Sequence, residues 1–206
     1  MNNFKKWILI ILGFILVGVG FAFQLNVTIG VGAIDALSTS LSTITLIPVG
    51  TVGMIINLIS VLGELVILKG QFKKMQFFQI PLSILLGMIV NYFLYEVLTF
   101  TIESFVLKIT VFVLATQVCA IGISILMEIN LVTMPFEGFC HALSSCIPLS
   151  FPVIRQIADV VCILVIVIVT IILQIPWSIG IGTIIGMLIF GPSLGFYMNK
   201  LSRVIK

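Results

Sequence analysis

Seven polar side chains lie in stretches of the chain that are otherwise apolar, and their types and spacing could bind a small solute. They are Asp35, Asn57, Glu137, His141, Arg155, Gln156 and Asp159. Within a membrane, an ionisable side chain is costly to bury and is a functional candidate by default. Asp35 and Glu137 each come near the start of a short segment. There a carboxylate either balances the dipole of a helix or binds a cationic or proton-donating group of a substrate, and both interpretations stay open.

Arg155 and Asp159 are four residues apart, a spacing that puts both on one face of a helix. They either neutralise each other or act as a gate, because protonation of Asp159 would release Arg155. Gln156 flanks the pair. The single histidine, His141, either packs inside the protein or relays protons. Helix N-termini can also bind anions, but the two acids disfavour a bare anion site.

Composition excludes most other classes of protein. Of the 206 residues, 61% are hydrophobic and only 8% are charged, whereas a soluble domain is about a quarter charged. The mean hydropathy is +1.36. These values exclude a soluble globular enzyme, a disordered chain and a nucleic-acid binder. The sequence has no nucleophile elbow, Walker sequence or zinc-protease motif, and Cys140, His141 and Cys146 lack a fourth metal ligand. We therefore expect no enzymatic activity, no cofactor and no metal site.

Six apolar runs reach about 20 residues, the length that crosses the hydrocarbon layer of a membrane. They lie near residues 7–25, 50–68, 78–98, 106–127, 153–175 and 178–198. Two shorter apolar stretches, near 33–44 and 135–146, are too short to cross. The sequence therefore predicts an all-α membrane protein that forms a single membrane domain over 1–206.

The basic residues indicate how these spans are oriented. With a cytoplasmic N-terminus, six spans leave three cytoplasmic regions, and these hold 8 of the 10 Lys and Arg residues, so the positive-inside rule is met. The eight are Lys5, Lys6, Lys69, Lys73, Lys74, Lys200, Arg203 and Lys206. The two short stretches must then enter and leave the membrane on the same side, as re-entrant half-helices. Glu64 lies near the cytoplasmic end of its span, where we expect it to snorkel or to pair with Lys69.

The order of these elements occurs twice, which predicts an internal repeat. One half covers about 7–99 and the other about 106–200. A shift of 102 residues aligns Gly20 with Gly122, Asp35 with Glu137, and Asn57 with Asp159. Each half has three full spans, an odd number, so the halves must insert in opposite orientations. Inverted repeats of this kind are typical of transporters and channels, with the binding site between the halves near mid-membrane. A duplication kept only for stability is the alternative.

Chain lengths are compatible with two re-entrant segments. Eight or nine extended residues cover about 25–30 Å, enough to reach the membrane centre. A helix of about twelve residues then returns about 18 Å to the same side. Gly30 and Gly32 suit the extended part of the first segment, and Pro135 suits the first turn of the second helix. Both half-helix N-termini would point at the centre, where Asp35 and Glu137 lie.

The chain resembles the YczE-like integral membrane proteins, which are related to the YitT-type bacterial membrane proteins. In the second half, the resemblance rests on Pro135-Phe136-Glu137-Gly138, on Arg155 with Asp159, on Gly180-Ile181-Gly182-Thr183, and on Phe190-Gly191-Pro192. In the first half, Gly30-Val31-Gly32-Ala33-Ile34-Asp35-Ala36-Leu37 resembles the counterpart motif, with Ala33 where a proline is common. The resemblance covers most of the chain. It implies a bacterial cytoplasmic-membrane protein and supplies no substrate.

Transport is the function that these features favour. We expect a secondary transporter of a small polar solute, cationic or zwitterionic, that works by alternating access between inverted repeats. Two alternatives stay open: a substrate-capture subunit of an ATP-driven importer, and a membrane assembly factor or sensor that binds a protein partner. The expected partners are a small-molecule solute and the lipid bilayer, with no nucleic acid. A homodimer also stays open. For the assembly factor or sensor, Gly18-x-x-x-Ala22 on the first helix offers a small-residue packing surface, which either binds the partner or packs inside the protein. We expect a multi-pass protein of the bacterial cytoplasmic membrane with both termini cytoplasmic.

Overall fold

The computed structural model describes residues 3–205, so Lys206, one of the basic residues assigned to the cytoplasmic side, lies outside the described residues. This part of the chain forms eight α-helices: α1 Asn3–Asn26, α2 Ala33–Thr45, α3 Val49–Leu68, α4 Gln79–Tyr92, α5 Phe105–Ile129, α6 Pro135–Cys146, α7 Phe151–Leu173 and α8 Ile181–Ile205. Short 3₁₀ turns cover Lys69–Gln71 and Lys74–Phe78, and a π-helical turn, Phe93–Val97, extends α4. No residue from 3 to 205 lies in a strand. The predicted all-α class is confirmed.

Six helical segments are long and apolar enough to cross a membrane, as the sequence predicted. One of them, Lys74–Val97, consists of α4 together with the turns on either side of it. Helices α2 and α6, with 13 and 12 residues, are the two short segments. Long helices also expose many large apolar side chains: Ile172 is 70% exposed and Ile184 is 61% exposed. Such a surface is unfavourable in water and suits contact with lipid. The chain is therefore a multi-pass membrane protein by helix length, composition and surface.

Helices α1 and α5 pack against each other at glycine positions. A Cβ atom built on Gly122 would lie 2.7 Å from the carbonyl oxygen of Gly13, and one built on Gly20 would lie 2.8 Å from that of Ala115. Glycine thus allows the two backbones to approach closely, as is common between membrane helices. The later residue of α1 faces the earlier residue of α5, so the two helices run antiparallel.

The small-residue pattern in α1 packs inside the chain. A Cβ atom on Gly18 would lie 2.7 Å from the side chain of Ile89 in α4, and Ala22 is fully buried. This face of α1 is therefore occupied by α4 of the same molecule. The two short helices, α2 and α6, each pack against both α3 and α7.

Contacts at the helix ends show which ends lie together. The Asn26 side chain, at the end of α1, donates to the carbonyl oxygen of Leu98 at 2.8 Å. The backbone N–H of Val49, at the start of α3, donates to the hydroxyl of Tyr95 at 3.2 Å. The segment that contains α2 therefore begins and ends beside the same stretch of chain, the residues just after α4.

The start of α8 lies at this end of the bundle as well. The backbone N–H of Gly182 donates to the carbonyl oxygen of Ile29 at 2.6 Å. The buried hydroxyls of Ser40 and Ser178 are hydrogen-bonded at 2.7 Å. At the other end of the bundle, the hydroxyl of Thr133, after α5, donates to the Gln76 side chain at 3.3 Å, just before α4. The ends of α5 and α7 therefore lie at opposite ends of the molecule.

Candidate functional site

A cavity of about 400 Å³ lies among the helices and contains most of the charged side chains of the interior. Its charged lining residues are Asp35, Glu137, Arg155 and Asp159. The volume is within the range of small-molecule sites, which is about 300–1,000 Å³. Much of the remaining lining is apolar and includes Phe21, Phe112 and Phe190. The cavity therefore combines the apolar walls and the few polar groups that are typical of a solute site.

The two short helices bring their acids into this cavity. Asp35 lies in the first turn of α2, and Glu137 lies in the first turn of α6. Gly30 has φ +102, a conformation that other residues rarely adopt, and it lets the chain turn before α2. Pro135 starts α6 at a position where a missing N–H costs nothing. Both helix N-termini thus carry a carboxylate at the cavity wall.

Arg155 on α7 holds the second acid in place. Its Nε atom lies 3.5 Å from Glu137 Oε1, and its Nη1 atom donates to Asp159 Oδ1 one turn further along the helix. The guanidinium also lies over the ring of Phe136, 4.8 Å from the ring centre, a favourable cation–π position. The Arg155 side chain is 26% exposed and that of Glu137 is 32% exposed. The pair therefore faces the cavity and is not sealed in the protein.

Asp35 is the carboxylate without an ionic partner. In the part of the chain that the structure describes, no Lys, Arg or His nitrogen lies within 4.0 Å of it. The cavity wall thus carries three carboxylates and one guanidinium, a formal charge of −2. In a region of low dielectric, such an excess favours a positively charged group of a solute.

The structure brings together five of the seven residues that the sequence singled out. The five that line the cavity are Asp35, Asn57, Glu137, Arg155 and Asp159. His141 and Gln156 do not line it, and both are exposed. His141 lies about 6 Å further along α6 than Glu137, at 1.5 Å per residue, and its ring is 6.0 Å from that of Phe151. The structure therefore places these two residues outside the cavity, and their role as substrate ligands stays a prediction.

Sequence reasoning missed the polar residues that α1 and α5 contribute to the cavity. Gln24 donates to the hydroxyl of Thr116 at 3.0 Å, and both residues line the cavity. The sequence could have indicated these two residues, because an amide and a hydroxyl are unusual within long apolar helices.

The position of Glu64 also differs from the expectation drawn from the sequence. It is only 3% exposed and accepts a hydrogen bond from Gln79 at 3.0 Å, so the expectation that it snorkels or pairs with Lys69 is wrong.

The cavity groups do not form a transition-metal centre. Among residues 3–205, no group of three or more His, Cys, Asp or Glu side chains is arranged to hold a metal ion. Cys140 is buried, whereas Cys146 is exposed. The arrangement offers charge recognition by carboxylates and a guanidinium, which suits binding of a polar solute.

Comparisons with known proteins give a family. A family model described as "Family of unknown function (DUF6198)" matches residues 4–199, nearly the whole chain, so the chain belongs to this family. No curated protein matches the chain. No solved structure matches it either.

Proposed function

We propose that this member of the DUF6198 family is a secondary transporter of a small cationic or zwitterionic solute, which it moves by alternating access between two inverted repeats. The observation that carries the proposal is the cavity between the short helices, with three carboxylates and one guanidinium in its wall. An open, charged cavity among membrane-spanning helices does not stabilise the protein, because buried charge is costly. Solute binding gives these charges a role.

Contacts between α1 and α5 support the inverted repeat. The shift of 102 residues that aligns Gly20 with Gly122 also aligns Gly13 with Ala115. Exchange of the two halves turns the contact of Gly13 with Gly122 into a contact of Ala115 with Gly20, and both contacts are observed. Any antiparallel helix pair would keep such a pattern, so the supporting feature is the small residue at all four of these positions, Gly13, Gly20, Ala115 and Gly122. The antiparallel packing of α1 and α5 agrees with opposite insertion of the halves.

Packing of the short helices follows the same relation. Under exchange of the halves, the contact of α2 with α7 becomes the contact of α6 with α3, and both occur. The two acids are themselves related by the shift of 102 residues. The central cavity therefore takes one short-helix carboxylate from each proposed repeat, in addition to Asp159 from the second. A relative movement of the repeats would change its opening.

Contacts at the helix ends support re-entrant segments. Asn26 and Val49 flank α2, and both bond to the residues between Tyr95 and Leu98. We infer that α2 enters and leaves the membrane on one side and that α6 does so on the other. The half-helix N-termini then meet near mid-membrane, where broken helices of transporters bind their substrates.

The charged side chains of the cavity wall suggest which residues bind the solute. An ammonium group would bind Asp35, the acid without an ionic partner, with Asn57 as a further hydrogen-bonding group of the wall. Arg155 orients Glu137 and leaves its second carboxylate oxygen for the solute. A zwitterionic solute would place its own carboxylate near the guanidinium.

Location in a bacterial cytoplasmic membrane, with both termini cytoplasmic, belongs to the same proposal. It is supported by the basic residues near 69–74 and 200–203. Kinship with the YczE-like proteins also remains part of the proposal.

Transport itself is tested in proteoliposomes that contain the purified chain. Charged solutes produce a current on a solid-supported membrane, so ethanolamine, choline, putrescine and lysine serve as cationic or zwitterionic probes and citrate as an anionic one. We expect a saturable current or uptake for at least one of the first four, and none for citrate or in empty liposomes. Movement of citrate alone would contradict the proposal. Absence of all flux, with a stoichiometric protein partner in purification, would favour an assembly factor or sensor.

Side-specific labelling tests the re-entrant segments. In a cysteine-free background, Leu46→Cys, between α2 and α3, should react with a membrane-impermeant maleimide from the same side as Glu103→Cys. Leu46 is 89% exposed, so its access to reagent is good. Leu149→Cys, between α6 and α7, should react from the opposite side, together with Gly70→Cys. A re-entrant α2 puts Leu46→Cys on the side opposite to Phe4→Cys, which lies at the start of α1 and is 71% exposed, whereas an α2 that crossed the membrane completely would put both on one side. An α6 that crossed completely would put Leu149→Cys on the side of Glu103→Cys.

A further inference from the structure

A second polar cluster lies outside the central cavity. It consists of Glu64, Gln76, Gln79 and Thr133, which we call the oxygen cluster. These residues come from α3, from the 3₁₀ turn before α4, from α4 itself and from the segment before α6. Gln79 is fully buried and Glu64 is 3% exposed. None of the four lines the central cavity.

Glu64 is a buried carboxyl group with no ionic partner in the part of the chain that the structure describes. Among residues 3–205, no Lys, Arg or His nitrogen lies within 4.0 Å of its carboxylate. Its hydrogen-bond partner is the neutral amide of Gln79, whose nitrogen lies 3.0 Å from Glu64 Oε2. Burial of an anion without a cation is expensive. A bound cation would remove most of that cost.

The amide of Gln79 lies at the centre of the oxygen cluster. Its nitrogen lies 3.0 Å from Glu64 Oε2, 2.7 Å from Gln76 Oε1 and 3.3 Å from Thr133 Oγ1. Three oxygens thus converge on a group that has only two hydrogens. The amide's own oxygen, Gln79 Oε1, is buried and has no hydrogen-bond partner among the described residues. This orientation therefore leaves one oxygen unsatisfied and gives the nitrogen too many acceptors.

We propose that the oxygen cluster binds a monovalent alkali cation of the size of Na⁺. A half-turn of the Gln79 amide exchanges its nitrogen and oxygen, so that four oxygens converge: one carboxylate, two amide oxygens and one hydroxyl. Without a cation, the hydroxyl of Thr133 supplies one hydrogen among these oxygens, so an ionised Glu64 and the amide oxygen of Gln79 would face each other as two acceptors. Hard oxygen ligands suit alkali and alkaline-earth cations, and a single carboxylate matches a single positive charge, whereas Ca²⁺ sites usually recruit several carboxylates.

The oxygen cluster lies beside the start of α6, so a cation bound there would act on the central cavity. Gln76 and Thr133 are half-buried, so the site can be reached from the end of the bundle near Lys74. A Cβ atom on Gly138 would lie 2.6 Å from Glu64 Oε2, and Gly138 directly follows Glu137. Cation binding would thus fix the start of α6, which carries one acid of the solute site. This coupling rests on the proposed transport function, whereas the cation site itself does not.

Cation binding is tested on the purified full-length chain without any solute. Thermal unfolding in detergent is followed in NaCl, LiCl, KCl and choline chloride at equal ionic strength. We expect Na⁺ to raise the melting temperature saturably relative to choline, with a weaker effect of K⁺. Glu64→Gln, which keeps the size of the side chain, should lower the Na⁺ affinity at least tenfold. Glu103→Gln, the same change at an exposed site, should leave the affinity unchanged.

Two further variants keep the test decisive if Glu64→Gln does not fold. Thr133→Val removes one proposed ligand and keeps the shape of the side chain. Gly138→Ala crowds the carboxylate. Each should weaken Na⁺ binding at least tenfold. Identical melting in all four salts, or full retention of the Na⁺ response in the folded variants, would overturn the cation site.

Coupling is tested separately in proteoliposomes. Once a transported solute is known, an inward Na⁺ gradient should accelerate its uptake, and Glu64→Gln should remove that acceleration. Solute flux without any Na⁺ binding would refute the cation site and leave the proposed transport intact. Na⁺ binding with no flux of any solute would leave the site intact and refute transport.

Discussion

Replacement of Asp35 by Asn is expected to reduce solute flux by roughly 30- to 1,000-fold, with little change in folding. Asp35 is the cavity carboxylate that has no ionic partner within residues 3–205, so it is the group most available to a cationic solute. Loss of one charge-assisted contact in a desolvated site costs about 2–4 kcal/mol, which corresponds to this range. Flux is measured in proteoliposomes at matched protein density, and folding by thermal unfolding and size-exclusion chromatography.

Glu137→Gln should produce a smaller loss, because Glu137 also binds Arg155. Glu103→Gln is the matched control, since it makes the same chemical change at an exposed residue that does not line the cavity. Its flux should equal that of the unaltered chain. Normal transport by both Asp35→Asn and Glu137→Gln would show that the cavity is not the solute site.

Replacement of Arg155 by Gln is expected to destabilise the protein by about 2–4 kcal/mol. The change leaves Asp35, Glu137 and Asp159 as three carboxylates around one cavity, without the cation that two of them contact. Removal of one member of a fully buried ion pair costs about 3–5 kcal/mol. These side chains are about a quarter to a third exposed, so a somewhat lower value applies.

A double-mutant cycle separates this charge effect from lost packing. Arg155→Gln combined with Asp159→Asn removes one negative charge together with the positive one, and should restore roughly 1–2 kcal/mol. Thermal unfolding in detergent measures all three variants. Lys200→Gln, at an exposed residue near the end of α8, is the control and should have no measurable effect. If the double variant lost as much stability as the two single variants together, Arg155 and Asp159 would be energetically independent.

Much of the fold follows from local features of the sequence. Six spans and two short helices could be predicted because helix length and hydropathy are properties of contiguous residues. The start of α6 could be predicted because Pro135 favours the first turn of a helix. The acids at the starts of the short helices could be recognised because Asp35 and Glu137 stand out from apolar neighbours.

The composition of the site could be predicted only in part. Arg155 and Asp159 form the expected pair because residues four apart share a helix face. Gln156 is turned by about 100° from Arg155 on the same helix, and this rotation keeps it out of the cavity. The contact of Arg155 with Glu137 joins two helices, so no spacing within the sequence could indicate it.

By itself, the sequence determined an all-helical membrane protein, its long and short helices, and an acid at the start of each short helix. Tertiary structure decided which charges meet. It joined Arg155 to Glu137 and buried Glu64 against Gln79. Among residues 3–205 it left Asp35 without an ionic partner. The physical reason is that helix formation depends on neighbours in the chain. The rotation and approach of helices depend instead on contacts between distant residues, such as the close packing of Gly13 and Gly122.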